Sequence, residues 1–344
     1  MRAIMIEAHG DADVLRVRDL AEPVPAAGEV LVRNRAVGVN FVDLQHRAGS
    51  PYPVELPLVP GTEAAGEVVA VGAGVDPALV GTQVAHFGHL AGAYAEFTAV
   101  PERFAVPLPA GVDAETAAAV AMAGTTAHVL TRVAERVSAG DVVLVHAAAG
   151  STGGAVLQLA VAAGARVIAV ASAPGRADAA RALGAHEAIV LDDRMPERVG
   201  KLTGGRGADL VYDANGGPTF DASLASVARG GTLVLYGQSG GPVAPFDPAR
   251  LSGITGGDGA GSLALHWVAA AHYLDTAAER RAALDTVLAD VAAGRLHPRV
   301  SHRFPLEQAA EAHRVLERRE ADAKVLLVVD SALRARRGES TITL

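Results

Sequence analysis

Cysteine is absent from this 344-residue chain. That excludes a disulfide scaffold, a thiolate nucleophile, Cys-ligated zinc and iron–sulfur clusters. Sites built from histidine and carboxylate stay open. Aromatic residues are scarce at 4%, against 50% hydrophobic residues and 38 glycines, so the core must rely on small aliphatic side chains and close backbone packing. Lysine is scarcer still: Lys201 and Lys324 are the only two, which limits Schiff-base chemistry to two positions. Basic residues (30) are outnumbered by acidic ones (38), for a formal net charge of −8. This balance favours solubility and argues against nucleic acid or an anionic membrane as partner. No run of 18 apolar residues occurs, so no membrane span is expected. Met1–Gly10 carries Arg2, Glu7 and His9 and does not read as a signal peptide. A cytoplasmic protein is expected.

What is present falls into two patterns. Residues 1–120 read as β-rich: Ala3–Glu7, Glu29–Val39, Gly66–Val71, Thr82–Phe87 and Ala93–Val100 are β-branched or alternating, with Gly/Pro punctuation between them. That spacing predicts a partly open barrel. Near residue 122 the pattern changes. Asp141–His146 is a continuous apolar run, as a buried parallel strand requires. Strands and helices then alternate: helix 153–164, strand 166–170, helix 175–183, strand 187–191, helix 195–202, strand 209–213, helix 220–227 and strand 231–236. Alternation of this kind predicts βαβ units and a doubly wound sheet. A glycine-dense loop follows at 237–261, with a marginal strand at 262–265. Helical patterns resume at 266–293 and 306–318, and a final strand is predicted at 324–329. The expected domains are 1–121 with 267–330, and 122–266, followed by a polar tail at 331–344.

The strongest motif is the junction VLVHAAAGSTGGAVLQLA (143–160). Gly150 and Gly153 sit between a buried strand and a helix, and Ala147 stands where the first glycine of G-x-G-x-x-G often stands. Small residues let this turn approach a pyrophosphate, and the helix N-terminus offers unpaired N–H groups. Ala149, Gly150, Ser151, Thr152 and Gly153 are therefore candidate cofactor-binding residues. Tight strand–helix packing without a ligand is the alternative for the motif alone. The next strand ends at Val170-Ala171-Ser172 with no acid before Asp178. NAD-binding chains usually carry Asp or Glu there for the ribose 2′-OH. Ser172 and Arg176 suit a 2′-phosphate instead, which points to NADPH. An ordinary solvated helix arginine is the alternative for Arg176.

With these residues in this order, the chain resembles the medium-chain dehydrogenase/reductase superfamily, and within it the zinc-free quinone oxidoreductase (zeta-crystallin-like) branch. The resemblance rests on 38–49 (GVNFVDLQHRAG), 59–75, 92–97, 123–128 (AGTTAH), 146–154, 207–217, 230–241 and 323–328. It implies a Rossmann doubly wound parallel sheet plus a GroES-like partly open β-barrel catalytic domain. Zinc-dependent relatives carry a ligand cysteine where this chain has Asn40 and Gly-His-Glu where it has Gly61-Thr62-Glu63, so no metal is expected. A cluster of His86, His89 and His128 is the remaining metal candidate, and its spacing argues against one. The resemblance places Asn40 and Thr126 near the nicotinamide. It sets Asn215, Gly216, Tyr236, Gly237 and Gln238 at strand ends facing the cofactor, and Lys324 near the cofactor. A structural turn and a strand-edge lysine are the alternatives for Asp43 and Lys324. Gln45 replaces a tyrosine common near the substrate, and Leu191 replaces one that contacts the 2′-phosphate.

The implied reaction is hydride transfer from NADPH to a quinone or other conjugated carbonyl. Asn40, Asp43, Gln45 and Thr126 are the candidate catalytic residues, and Asp43 and His46 are the titratable groups available to supply a proton. Alternatives are a pathway-specific enoyl reductase or cyclase, or an NADPH-binding protein without turnover. A homodimer paired through segment 261–265 is expected by the same resemblance.

Overall fold

The computed structural model describes residues 1–88, 92–253 and 261–329. The chain divides into two compact units, Met1–Met122 with Arg299–Leu344, and Ala123–Pro298.

The first unit is built on strands. Strands β1 (Arg2–Met5) and β2 (Arg16–Asp19) form a small antiparallel pair. Then come β3 (Glu29–Val39), α1 (Phe41–Ala48), β4 (Glu63–Val71), β5 (Gln83–Phe87), β6 (Phe97–Pro101) and β7 (Val106–Pro107). The helix α2 (Ala114–His128) runs across the division between the units. In the second unit lie β8 (Val142–His146), α3 (Ser151–Ala162), β9 (Arg166–Ala171), α4 (Pro174–Ala182), β10 (Glu187–Val190) and α5 (Met195–Leu202). They are followed by β11 (Ala208–Asp213), α6 (Phe220–Ala225), β12 (Val227–Leu235), β13 (Ala264–Trp267) and α7 (Ala277–Ala292). The chain then returns to the first unit with β14 (Val300–Pro305), α8 (Ala309–Glu317) and β15 (Lys324–Val328).

The strands of the first unit pair in the order β14-β15-β3-β4-β5-β7, with β6 also on β3. β3, at 11 residues the longest strand, is therefore the hub: it takes β4, β6 and β15, all antiparallel. Its alternation delivers Val37 and Val39 to a core shared with Ile4, Ile6, Tyr94 and Leu327. The second unit is a six-stranded parallel sheet in the order β10-β9-β8-β11-β12-β13. In chain order this is 3-2-1-4-5-6, the doubly wound arrangement with its switch point beside β8. All five residues of β8 are buried, as its unbroken apolar run requires of a central strand.

The structure differs from the sequence expectation in several places. Residues 267–298, expected with the barrel, pack into the second unit; α7 lies in this stretch, and Arg132 and Arg295 both pair with its Asp290. The helix expected from 266 begins at Ala277, because a Thr276–Glu279 capping box sets its start. The strand expected at 93–100 begins at Phe97: the Ala93 and Ala95 carbonyls accept hydrogen bonds from the Asn34 side chain in place of a strand ladder. The strand expected at 231–236 starts earlier, at Val227, with a register irregularity before Thr232. The loop residues 254–260 and the tail from 330 onward lie outside the described residues.

Candidate functional site

Two sites emerge, one in each unit. In the first, polar side chains from β4, α1, β15 and α8 meet beneath the apolar core. Glu63 is fully buried on β4. It fits because β3 carries glycine opposite: a Cβ on Gly38 would lie 2.2 Å from the Glu63 Oε1. The carboxylate accepts from Asn40 Nδ2 at 2.7 Å and from the Met122 backbone N–H at 2.6 Å. Its counter-ion is Lys324, only 2% exposed, whose ammonium bonds Glu63 and donates to Asn40 Oδ1 at 2.7 Å. These two contacts settle which way the Asn40 amide faces. The –NH₂ turns to Glu63 and the oxygen to Lys324, leaving one N–H to donate elsewhere.

Asp43 continues the cluster. It sits in the first turn of α1, fully buried, and accepts the Asn40 backbone N–H at 2.8 Å. Thr62 and Tyr94 hydroxyls donate to it, each at 3.3 Å. Burial raises its pKa from 3.8 to about 7; the Asn40 N–H and Lys324 pull the other way and only partly offset it. Tyr94 is pushed well up, first by burial and then by the Asp43 charge. Behind Tyr94 lies His313, with its Nε2 3.0 Å from the phenol oxygen, and Arg47 reaches the His313 Nδ1 at 3.3 Å. Arginine can only donate, so Nδ1 is the acceptor and Nε2 carries the hydrogen. Every hydrogen bond in the chain Arg47–His313–Tyr94–Asp43 thus points toward Asp43. Burial, with the Arg47 charge, lowers His313 to about 3, so it stays neutral. Arg47 is itself paired with Glu317.

Lys324, expected near the cofactor, bonds Glu63 and Asn40 within this cluster. Gln45 and His46 sit half-buried on α1; the His46 Nδ1 is buried without a partner among the described residues, and burial lowers its pKa. Tyr94, His313 and Arg47 were missed by the sequence reading. The available signal was polar residues at apolar helix positions: Arg47 is buried on α1 and His313 on α8.

The second site lies at the carboxyl ends of the parallel strands. β8 ends at His146, Ala147 takes φ +50°, and α3 begins at Ser151. Gly153 is obligatory there. A Cβ on it would lie 2.4 Å from the Ala147 carbonyl oxygen and 2.8 Å from that of His146. Gly150 caps the helix without a side-chain hydrogen bond. The first-turn N–H groups of Ser151, Thr152 and Gly153 have no carbonyl one turn earlier in the helix, an arrangement that can take an anion. Ala149 is buried beneath this turn. At the end of β9, Ser172 is exposed and Arg176 stands half-buried in the first turn of α4.

Two further turns bear predicted residues. After β11, Asn215 and Gly216 donate their backbone N–H groups to Asp213 at 2.7 and 3.3 Å. Their carbonyls accept from Gly240 and from Thr219 and Phe220. The Asn215 Oδ1 accepts from the Ser239 hydroxyl at 3.5 Å, so its –NH₂ is what that side chain can offer a ligand. After β12 come Tyr236, Gly237 and Gln238, all half-buried. The Tyr236 hydroxyl is buried without a partner among the described residues, and burial pushes its pKa up. Thr126, on α2, is half-buried in this second unit.

Among the described residues no three His, Cys, Asp or Glu side chains are grouped to hold an ion. His89 lies outside them. Beside the buried Asp43 and Glu63, an ammonium stands against Glu63.

Residues 26–110 match the family described as alcohol dehydrogenase GroES-like domain, and 151–277 the family described as zinc-binding dehydrogenase. A quinone oxidoreductase of Pseudomonas aeruginosa is 37% identical over 329 residues, covering 95% of this chain and 99% of its own. The chain belongs to the quinone oxidoreductase family of medium-chain dehydrogenases/reductases. A 2-haloacrylate reductase from a Burkholderia species is also similar, at 34% identity over 95% of this chain and 98% of its own. A mycobacterial protein solved in complex with NADPH superposes with a TM-score of 0.88, at 39% identity, over 96% of this chain and 100% of that one. This oxidoreductase therefore has the fold of the family, a GroES-like N-terminal domain and a Rossmann-like parallel sheet.

Proposed function

We propose that this oxidoreductase transfers hydride from NADPH to a quinone or another conjugated carbonyl compound, without zinc. The observation that carries the reading is the glycine turn: unpaired N–H groups at the head of α3, brought close by Gly153, in a chain similar throughout its length to quinone oxidoreductases. When bound, NADPH supplies the hydride. The first turn of α3 holds the pyrophosphate. Ser172 and Arg176 take the 2′-phosphate, with no acid before Asp178 to favour the free 2′-hydroxyl. Asn215, Gly216, Tyr236, Gly237 and Gln238 line the strand ends along which the rest of the cofactor lies, and Thr126 is assigned to its nicotinamide end. Asn40 keeps one N–H for a carbonyl oxygen that gains charge as hydride arrives. Gln45 is a second neutral donor on the same helix, and Asp43 holds the Asn40 backbone in place.

Support for the zinc-free reading comes from Lys324. A buried ammonium already neutralises Glu63, so a dication there would meet a fixed positive charge. Conjugated acids are included among acceptors because the similar Burkholderia enzyme is a 2-haloacrylate reductase. We further assign a cytoplasmic homodimer joined through β13, the edge strand of the parallel sheet, where Trp267 is 50% exposed. The test is NADPH oxidation by a panel of quinones, enals and 2-substituted acrylates, with and without a zinc chelator, alongside elemental analysis. Turnover of at least one acceptor by metal-free protein is expected. NADPH binding with no turnover across the panel, or activity that vanishes with the chelator, would overturn the proposal.

A further inference from the structure

The strongest unassigned feature is a buried hydrogen-bond network under the second site. The parallel ladder between β8 and β11 pairs Val143 with Leu210, Leu144 with Val211 and Val145 with Tyr212, and ends there. One residue further along each strand stand His146 and Asp213, both fully buried. No backbone pairing joins them, yet each is the last strand residue before a turn assigned to the cofactor. Ser223 of α6 takes over where the ladder stops. Its Oγ lies 2.7 Å from the Asp213 Oδ2 and 2.9 Å from the His146 Nε2.

Proton bookkeeping determines this bridge. The Asp213 carboxylate only accepts, and it already takes the N–H groups of Asn215 and Gly216 and the Thr219 hydroxyl. Ser223 has one hydrogen, which goes to Asp213, so its oxygen must accept from His146. That sets the imidazole as the Nε2–H tautomer and leaves Nδ1 bare, in agreement with the absence of any partner for Nδ1 among the described residues. Burial lowers the His146 pKa, which keeps the ring neutral.

We propose that Asp213, Ser223 and His146 are positioning residues that hold the 147–150 turn and the 214–216 turn at one separation, so that both engage a single dinucleotide. The inference rests on the NADPH reading above. None of the three touches the cofactor. They act by setting the distance between two half-sites, each of which is complete by itself. Loss of the bridge should therefore weaken the whole dinucleotide and spare its halves.

The experiment compares binding of NADPH, adenosine 2′,5′-bisphosphate and nicotinamide mononucleotide to the full-length enzyme and its variants. For Ser223→Ala, NADPH affinity should fall about tenfold, the worth of one buried hydrogen bond, while each half-ligand stays within about twofold. His146→Leu should behave like Ser223→Ala. His146→Gln, whose amide can donate from the position of Nε2–H, should restore affinity. The histidine pair carries the test if Ser223→Ala does not fold. Unchanged NADPH affinity in both Ser223→Ala and His146→Leu overturns the proposal, and so does an equal loss for the half-ligands. Failure of the unaltered enzyme to bind NADPH at all would instead overturn the cofactor reading beneath it.

Discussion

Replacing Lys324 by methionine tests the buried cluster most sharply. Methionine is similar in length and apolar, so the variant removes the ammonium with little change in packing. Glu63, with a side chain 0% exposed, is then left without its counter-ion. Breaking a buried pair from one side costs about 3–5 kcal/mol. Glu63 retains two donors, Asn40 Nδ2 and the Met122 N–H, so the low end applies. A loss of about 3 kcal/mol lowers the melting temperature of a unit of this size by about 6 to 12 °C. The double variant Lys324→Met/Glu63→Gln removes both charges, and such removal is often close to neutral. Thermal unfolding of the four proteins in the cycle should show Glu63→Gln recovering at least half of the loss. A Lys324→Met protein that melts within about 2 °C of the original would refute the assignment of a buried, mutually dependent pair. So would a double variant that is worse than either single one.

Asp43→Asn reports on pH. The folded-state pKa of Asp43 lies near 7, above its ordinary 3.8, so the native state holds this proton more tightly than the unfolded chain. Its ionisation therefore costs stability as pH rises through that window, and the cost is complete above about 7. Between pH 5 and 8, Asp43→Asn should gain about 2–3 kcal/mol relative to the original protein in urea unfolding; parallel pH profiles would show that Asp43 does not titrate there. Gly153→Ala should destabilise by about 1–3 kcal/mol, because the new methyl meets backbone atoms that cannot rotate away. Gly175→Ala, with nothing within 4 Å of the new Cβ, is its control and should be neutral or slightly stabilising. Arg176→Ala should weaken NADPH about 10- to 100-fold and leave NADH nearly unchanged, as loss of a charge-assisted phosphate contact requires. An unaltered preference between the two cofactors would remove Arg176 from the site.

Local order carried much of this architecture. β3 at Glu29–Val39 and α5 at Met195–Leu202 fall where apolar patterning puts them, because a strand or helix with one buried face writes its period into neighbouring residues. The turn at Ala147–Gly153 is legible for a related reason: strand, small residues and helix are contiguous. The cluster in the first unit is not. Arg47 meets His313 across 266 residues of chain, and Glu63 meets Lys324 across 261. Nothing near Lys324 in sequence separates a buried ammonium from a lysine at a strand edge. Its contact with Glu63 becomes visible only once the chain is folded. The sequence expectation also put 267–298 in the wrong unit. That stretch has helical spacing but no marker of the sheet it serves, and its tie to the second unit is the Asp290 carboxylate between Arg132 and Arg295.

The route of the chain has a consequence for synthesis. The second unit is one continuous stretch, Ala123–Pro298, and can close as soon as it leaves the ribosome. The first unit is interrupted. Asn40 and Glu63 are made early, but the ammonium that bonds the one and neutralises the other arrives only with β15. Until then the nascent barrel holds an acidic residue with no cation to bury beside it, and β3 lacks one of its neighbours. The domain begun first is thus the one finished last, and part of β3 stays an unpaired edge until β15 is made.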